Sequence, residues 1–255
     1  MARSHSPQLW RWTLPAVLLW LVSCGGGGDA EPANSGPVSY YSDSLYRSGR
    51  FLGLMVFDGG LLYGFYQIDV ADVPGASYYY AGFTAAKRPV EQGVNAPYQG
   101  FDFDFERGTA LPVEVTLEQH SAGVYFGALN LEGAEDHAFR VEYAPVSTEP
   151  TQPGKLAHRY GGYARAVKGS AAVQANADPD GNLSIYNDAG CAMAGTLKAR
   201  PLGNLYDATM TVGASCPVAP GRYSGPGLQS FNTSNVYLML TSEDLSVGLF
   251  VHLVE

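Results

Sequence analysis

From Val38 onward, apolar and polar residues alternate in short runs, and no segment keeps a 3.6-residue apolar period over twelve residues. Phe51–Phe57 and Leu61–Tyr66 flank Asp58-Gly59-Gly60, and two apolar runs around an Asp-Gly pair predict a β-hairpin. Phe101-Asp102-Phe103-Asp104-Phe105-Glu106 alternates strictly, which predicts a strand with rings on one face and the carboxylates of Asp102 and Asp104 turned to solvent. Val113–Glu118 repeats that pattern. Val124–Leu131, Phe139–Tyr143, Leu183–Tyr186, Ala192–Leu197, Leu205–Val212, Val236–Leu240 and Val247–Val254 are further candidate strands. About a dozen strands at a spacing of about 8–12 residues predict an all-β protein built as a barrel or sandwich.

The pattern breaks at Pro145–Gly154, which holds three prolines and no large aromatic residue and reads as a linker or long crossover. It divides the body into residues 38–148 and 155–255, each long enough for one small core. The expectation is therefore two small antiparallel β-barrel or sandwich units in tandem, with one larger barrel as the alternative. Gly49-Arg50-Phe51-Leu52-Gly53 is echoed by Gly221-Arg222-Tyr223-Ser224-Gly225, and Asp58-Gly59-Gly60-Leu61 by Asp180-Gly181-Asn182-Leu183. Either a duplication or chance in a Gly-rich chain produces such matches.

Composition sharpens this picture. Gly (31) and Pro (16) make up about 18% of 255 residues, against roughly 12% usual, and charged residues only 15% against about 25%. Collagen, coiled coil and a disordered chain are all excluded, the last by 17 Tyr and 11 Phe.

The N-terminus has a different character. Arg3 and Arg11 precede the apolar run Trp12–Val22, which is too short to span a bilayer, and no acidic residue occurs before Asp29. The run ends in Leu21-Val22-Ser23-Cys24, a quartet that resembles the lipobox of bacterial lipoproteins. The resemblance implies that residues 1–23 are a signal peptide and that Cys24 is acylated, carrying palmitate among its chains. Several acyl chains exceed what stable membrane anchoring needs. Gly25 in place of Asp implies export to the outer membrane. Residues 24–37, opening on four glycines, read as a flexible tether. Loss of Arg3 and Arg11 takes the 15 basic residues to 13 against 24 acidic, so the mature net charge falls from −9 to −11. Phosphate-backbone binding is disfavoured, so nucleic acid is not expected as a partner.

With Cys24 lipidated, Cys191 and Cys216 remain, and an exported chain with two cysteines is read as carrying one disulfide, a free thiol being the alternative. The pair is centred on Leu202-Gly203-Asn204, a turn sequence that brings the two together across a hairpin. His120, His137, His158 and His252 show no metal-ligand spacing, and His120 and His137 fall near strand ends, where a solvated side chain is expected. No nucleophile elbow, Walker loop or dinucleotide fingerprint is present. Asn176–Asn182 places oxygen ligands at alternate positions with Gly181 sixth, as at the start of a calcium loop, but Asn187 stands where the bidentate Glu belongs. Pro179-Asp180-Gly181 reads better as a β-turn. No catalytic residue, metal or cofactor is assigned. Tyr63, Tyr66, Tyr78, Tyr79 and Tyr80 exceed what one core face needs and are expected to form an exposed binding patch.

Gly190–Gly195, Pro201–Asp207 and Cys216-Pro217 resemble an arrangement in uncharacterised Gram-negative envelope lipoproteins, over roughly residues 155–255. It implies a disulfide-stapled C-terminal β domain and brings no activity. More loosely, the lipobox, glycine tether and two β halves resemble the transferrin-binding and factor H-binding surface lipoproteins, whose eight-stranded barrels bind host proteins. The functional expectation is an outer-membrane lipoprotein with a non-enzymatic binding surface for a protein or other macromolecule. The alternative is a periplasm-facing lipoprotein that supports envelope assembly or inhibits a toxic enzyme.

Overall fold

The computed structural model describes residues 39–42, 53–57, 59–68, 79–89, 96–133, 137–144, 150–156, 158–230 and 233–255. Cys24, the tether and Tyr78 lie outside the described residues.

Two eight-stranded antiparallel barrels follow one another, each an up-and-down meander closed by its first and last strands. The first comprises β1 (Ser39–Ser42), β2 (Gly53–Phe57), β3 (Leu61–Ile68), β4 (Tyr79–Lys87), β5 (Tyr98–Asp104), β6 (Thr109–Ser121), β7 (Val124–Leu131) and β8 (His137–Tyr143). The second comprises β9 (Arg159–Ala166), β10 (Gly169–Ala177), β11 (Asn182–Tyr186), β12 (Ala192–Ala199), β13 (Leu205–Val212), β14 (Gly221–Gln229), β15 (Val236–Thr241) and β16 (Gly248–Val254). The tandem all-β architecture expected from the alternating runs is the one observed. Closure removes the edges that an open sheet of these strands would expose.

The predicted hairpin between β2 and β3 forms, with Gly59 and Gly60 of its turn taking φ of 82° and 76°. The equivalent turn of the second barrel holds Asp180-Gly181, between its second and third strands. The Gly-Arg-aromatic echo does not coincide in this way: Gly53 opens the second strand of one barrel, whereas Gly221–Gly225 lies in the sixth strand of the other.

Alternation separates two barrel interiors from a third core. Leu54, Leu62, Tyr98, Val113, Val115, Leu129, Phe139 and Val141 fill the first lumen. Val173, Ile185, Met193, Met210, Leu238 and Val251 are among those filling the second. On β10–β13 the opposite face is solvated, which gives the clean alternation of an exposed wall. On β2–β5 both faces are buried, because their outward residues Met55, Phe57, Tyr63, Phe65, Phe83 and Phe103, with Phe105 just past β5, pack against Leu205, Leu228, Met239 and Phe250 of the second barrel. The phenyl face of Phe101–Phe105 thus forms a seam between barrels and not a barrel core. Phe250 enters this seam 6.4 Å from Phe83 and 6.2 Å from Phe105. Arg165 and Arg200 cover the rings of Phe105 and Phe57 at 5.5 and 4.6 Å. A Cβ on Gly248 would stand 2.6 Å from Phe103, so only glycine lets the barrels approach this closely.

The described part of the proline-rich crossover is not a loose linker. Pro150 bridges Leu202, Thr151 N–H donates to the Pro201 carbonyl, and Gln152 N–H donates to Asn204 Oδ1. A 3₁₀ turn at Pro153–Leu156 then drops Leu156 into the core of the second barrel. The segment caps one end of that barrel and supplies backbone acceptors for its buried Tyr206 and Gln229.

Candidate binding surface

The tyrosines expected on an exposed patch part company in the structure. Tyr63 and Tyr66 are each 4% exposed, which removes them from any outer surface. Neighbouring parity explains the difference between them. Tyr63 points outward into the seam, where its hydroxyl lies 3.4 Å from Thr241 Oγ1 of the second barrel, and burial raises its pKa. Tyr66 points into the first lumen. Tyr79 and Tyr80 stand in β4, opposite Ile68 and Gln67.

Asp102 departs furthest from its expected place. It faces the first lumen and is 1% exposed, although alternation alone turns it to solvent. Because the ring face of β5 is taken by the seam, the other face of the strand becomes the barrel interior. Thr84 Oγ1 donates to Asp102 Oδ1 at 2.6 Å, and Tyr66 OH donates to Oδ2 at 3.2 Å. A buried carboxylate held this way fixes the packing of β3, β4 and β5 around it. Tyr66 lies over Gly82, whose missing Cβ makes room for its hydroxyl. Asp104 caps the next turn, its Oδ1 accepting from the N–H groups of Glu106 and Arg107.

The possible calcium loop is a turn closed on itself. Asp178 Oδ1 accepts from Asp180 N–H and Asn182 N–H, and Oδ2 accepts from the Asn182 amide at 2.8 Å. The Asn182 side chain, foremost among these donors, lowers the Asp178 pKa. Among the described residues no three His, Cys, Asp or Glu side chains converge as metal ligands. Cys191 and Cys216 are disulfide-bonded, with Cα atoms 4.3 Å apart at the open end of the β12–β13 hairpin. The turn of that hairpin is the expected one, Gly203 and Asn204 both taking positive φ.

With its β2–β5 wall committed to the seam, the first barrel turns β6, β7 and β8 outward. Outward positions there carry Glu114, Thr116, Glu118, Phe126, Arg140 and Glu142, by the pairings Glu118↔Phe126 and Phe126↔Arg140. Phe126 is 43% exposed and Tyr143 39%. His120 sets its ring edge-on to Phe126 at 4.9 Å. Arg140 pairs with Glu142, leaving Glu118 as an uncompensated carboxylate beside Phe126 among the ion pairs of the described residues. Two shallow cavities open on this wall. One, of about 630 Å³, is lined by Pro97, Leu117, Glu118, Gln119 and Phe126. The other, of about 560 Å³, is lined by Gly123, Tyr125, Glu142 and Tyr143. An exposed aromatic group between charged neighbours, next to a shallow depression, suits a macromolecular surface better than a small molecule. The available sequence signal was the doublet Tyr125-Phe126: two adjacent rings on one strand must point to opposite faces, and only one can enter the lumen. No family model, curated protein or solved structure matches this chain.

Proposed function

We propose that the chain is an outer-membrane lipoprotein, anchored through acylated Cys24, whose two-barrel body presents a non-enzymatic binding surface to a protein or other macromolecule. The observation that carries this reading is the asymmetry of the first barrel. One wall is consumed by the seam, both lumens are packed with side chains, and the remaining wall exposes Phe126 beside a shallow cavity, with Tyr143 exposed at the end of β8 beside a second. Asp102, the buried carboxylate of the first lumen, has both oxygens engaged by hydroxyls and is shielded from solvent, which supports a structural role for it. The lipobox-like Leu21-Val22-Ser23-Cys24 and the glycine tether support display of this body at a distance from the lipid.

Cys24→Ser tests the anchor: it is expected to abolish palmitate labelling and release the protein from the membrane fraction. Unchanged labelling would contradict the assignment. Protease treatment of intact cells tests the face. Digestion is expected for a surface-displayed body, and survival until the outer membrane is opened would assign it to the periplasm.

A further inference from the structure

The register of the first barrel leaves one strand half-paired. The β5–β6 ladder ends at Tyr98↔Val115, yet β6 continues to Ser121, and beyond Val115 β7 is its only ladder partner among the described residues. In an antiparallel ladder successive residues turn their N–H and C=O groups to opposite sides. Glu132 N–H donates to the Pro112 carbonyl, so even positions of β6 face β7 and odd positions face the β5 side. Continuing that alternation, the backbone groups of Leu117 and Gln119 turn away from β7.

By register, Ala96 is the residue that would meet Leu117. Its carbonyl is instead taken by Arg88 Nε at 3.1 Å, while Arg88 Nη2 donates to Tyr98 OH at 2.8 Å. Arg88 therefore occupies the Ala96 carbonyl where the ladder stops at Tyr98. The space alongside is the 630 Å³ cavity bordered by Ala96, Pro97, Leu117, Gln119 and Phe126.

We propose that the overhanging half of β6 is a strand-addition site for an extended segment of a partner protein with basic side chains at alternate positions. The proposal rests on the reading of this wall as a binding face and gives it a mode of recognition. Main-chain hydrogen bonds to Leu117 and Gln119 supply affinity, and side chains on alternate positions supply selectivity. On the outward face the added strand lies beside Glu118, which favours Lys or Arg opposite it. On the inward face it meets Leu117, which favours an apolar residue there. The net charge of −9, which becomes −11 on loss of Arg3 and Arg11, draws such a segment in. Glu118 also disfavours a second copy of this chain on the same edge, since like charges would then face one another.

Three peptides of about nine residues provide the probes: alternating lysine and valine, the same with glutamate for lysine, and the lysine peptide N-methylated at alternate residues. They are titrated onto the full mature chain in detergent, with hydrogen exchange read at single residues. The lysine peptide is expected to bind and to slow exchange at Leu117 and Gln119. The glutamate and N-methylated peptides are expected to bind at least about tenfold more weakly. Gln119→Pro removes one edge N–H without touching the β7 side and is expected to weaken the lysine peptide to the same degree, whereas Gln119→Thr keeps the N–H and the binding. Failure of the lysine peptide to bind, equal binding of the N-methylated peptide, or indifference to Gln119→Pro while Gln119→Thr behaves as the parent would overturn strand addition. N-methylation reads the edge on the unmodified protein, so a folding defect in the proline variant leaves the outcome decidable. Peptide failure with partner contact retained at Phe126 removes strand addition alone; loss of both removes the binding wall as well.

Discussion

At the scale of single residues, the half-buried His252 and the buried Asp102 carry separate predictions. His252, on the outer face of β16, is stacked 4.7 Å from Tyr237 and edge-on to Tyr163 at 5.3 Å. Burial there lowers its pKa from the ordinary 6.5 to about 4. Above pH 6.5 the imidazole is neutral in folded and unfolded chains and contributes no pH dependence. Below 6.5 the unfolded chain takes up the proton first, so stability falls as pH drops from about 6.5 to about 4 and this contribution then levels off. Urea midpoints across that window are expected to decline less steeply in His252→Gln than in the parent. Asp102 makes a different prediction. Asp102→Leu takes the acceptor from the Thr84 hydroxyl and leaves the Tyr66 hydroxyl only the Phe103 carbonyl, and is expected to cost about 1–3 kcal/mol. Asp102→Asn keeps an acceptor oxygen and is expected to cost less, as read by thermal denaturation.

At the scale of elements, the strands with large alternating side chains were legible in the sequence and those built from small residues were not. Val124–Leu131 and Leu205–Val212 have the boundaries their alternation implies. Of the strands the pattern does not show, β9 and β10 are rich in Gly and Ala, weak strand formers that signal neither period, and β14 carries Gly-Pro-Gly in mid-strand. They exist because closure of the second barrel pairs them on both sides. The outward wall proposed for binding was illegible for a related reason. Alternation tells which residues share a face, but only the seam decides which wall of a barrel stays wet, and the seam depends on contacts between the two halves. That is why Tyr63 and Tyr66 read as surplus aromatics and lie in a seam and a lumen. The disulfide was legible because it closes a hairpin whose turn residues name themselves. Replacing Cys191 and Cys216 together by serine releases a loop with a sequence separation of 25. The expected loss is about 3–4 kcal/mol, seen as a lower denaturation midpoint with strand content retained at low temperature.

At the scale of the whole molecule, the seam joins the two barrels through a shared apolar core. Phe83, Phe103 and Phe105 from one barrel and Phe250 from the other form a continuous aromatic contact, closed at its edge by the Phe65–Tyr237 stack. Calorimetry is therefore expected to give one unfolding transition. Phe250→Ala, which empties the centre of the seam, is expected to cost about 3–5 kcal/mol and to split that transition in two. The seam also underlies the proposed function, since it occupies one wall of the first barrel and leaves β6–β8 to face outward, unlike the small-residue outer wall of β10–β13. The most direct test of that assignment is photo-crosslinking in living cells, with benzoylphenylalanine placed at Phe126 or, as the comparison, at Tyr186 on the exposed wall of the second barrel. Adducts to another macromolecule are expected at Phe126 and not at Tyr186; adducts at Tyr186 with none at Phe126 would contradict the β6–β8 wall as the binding surface.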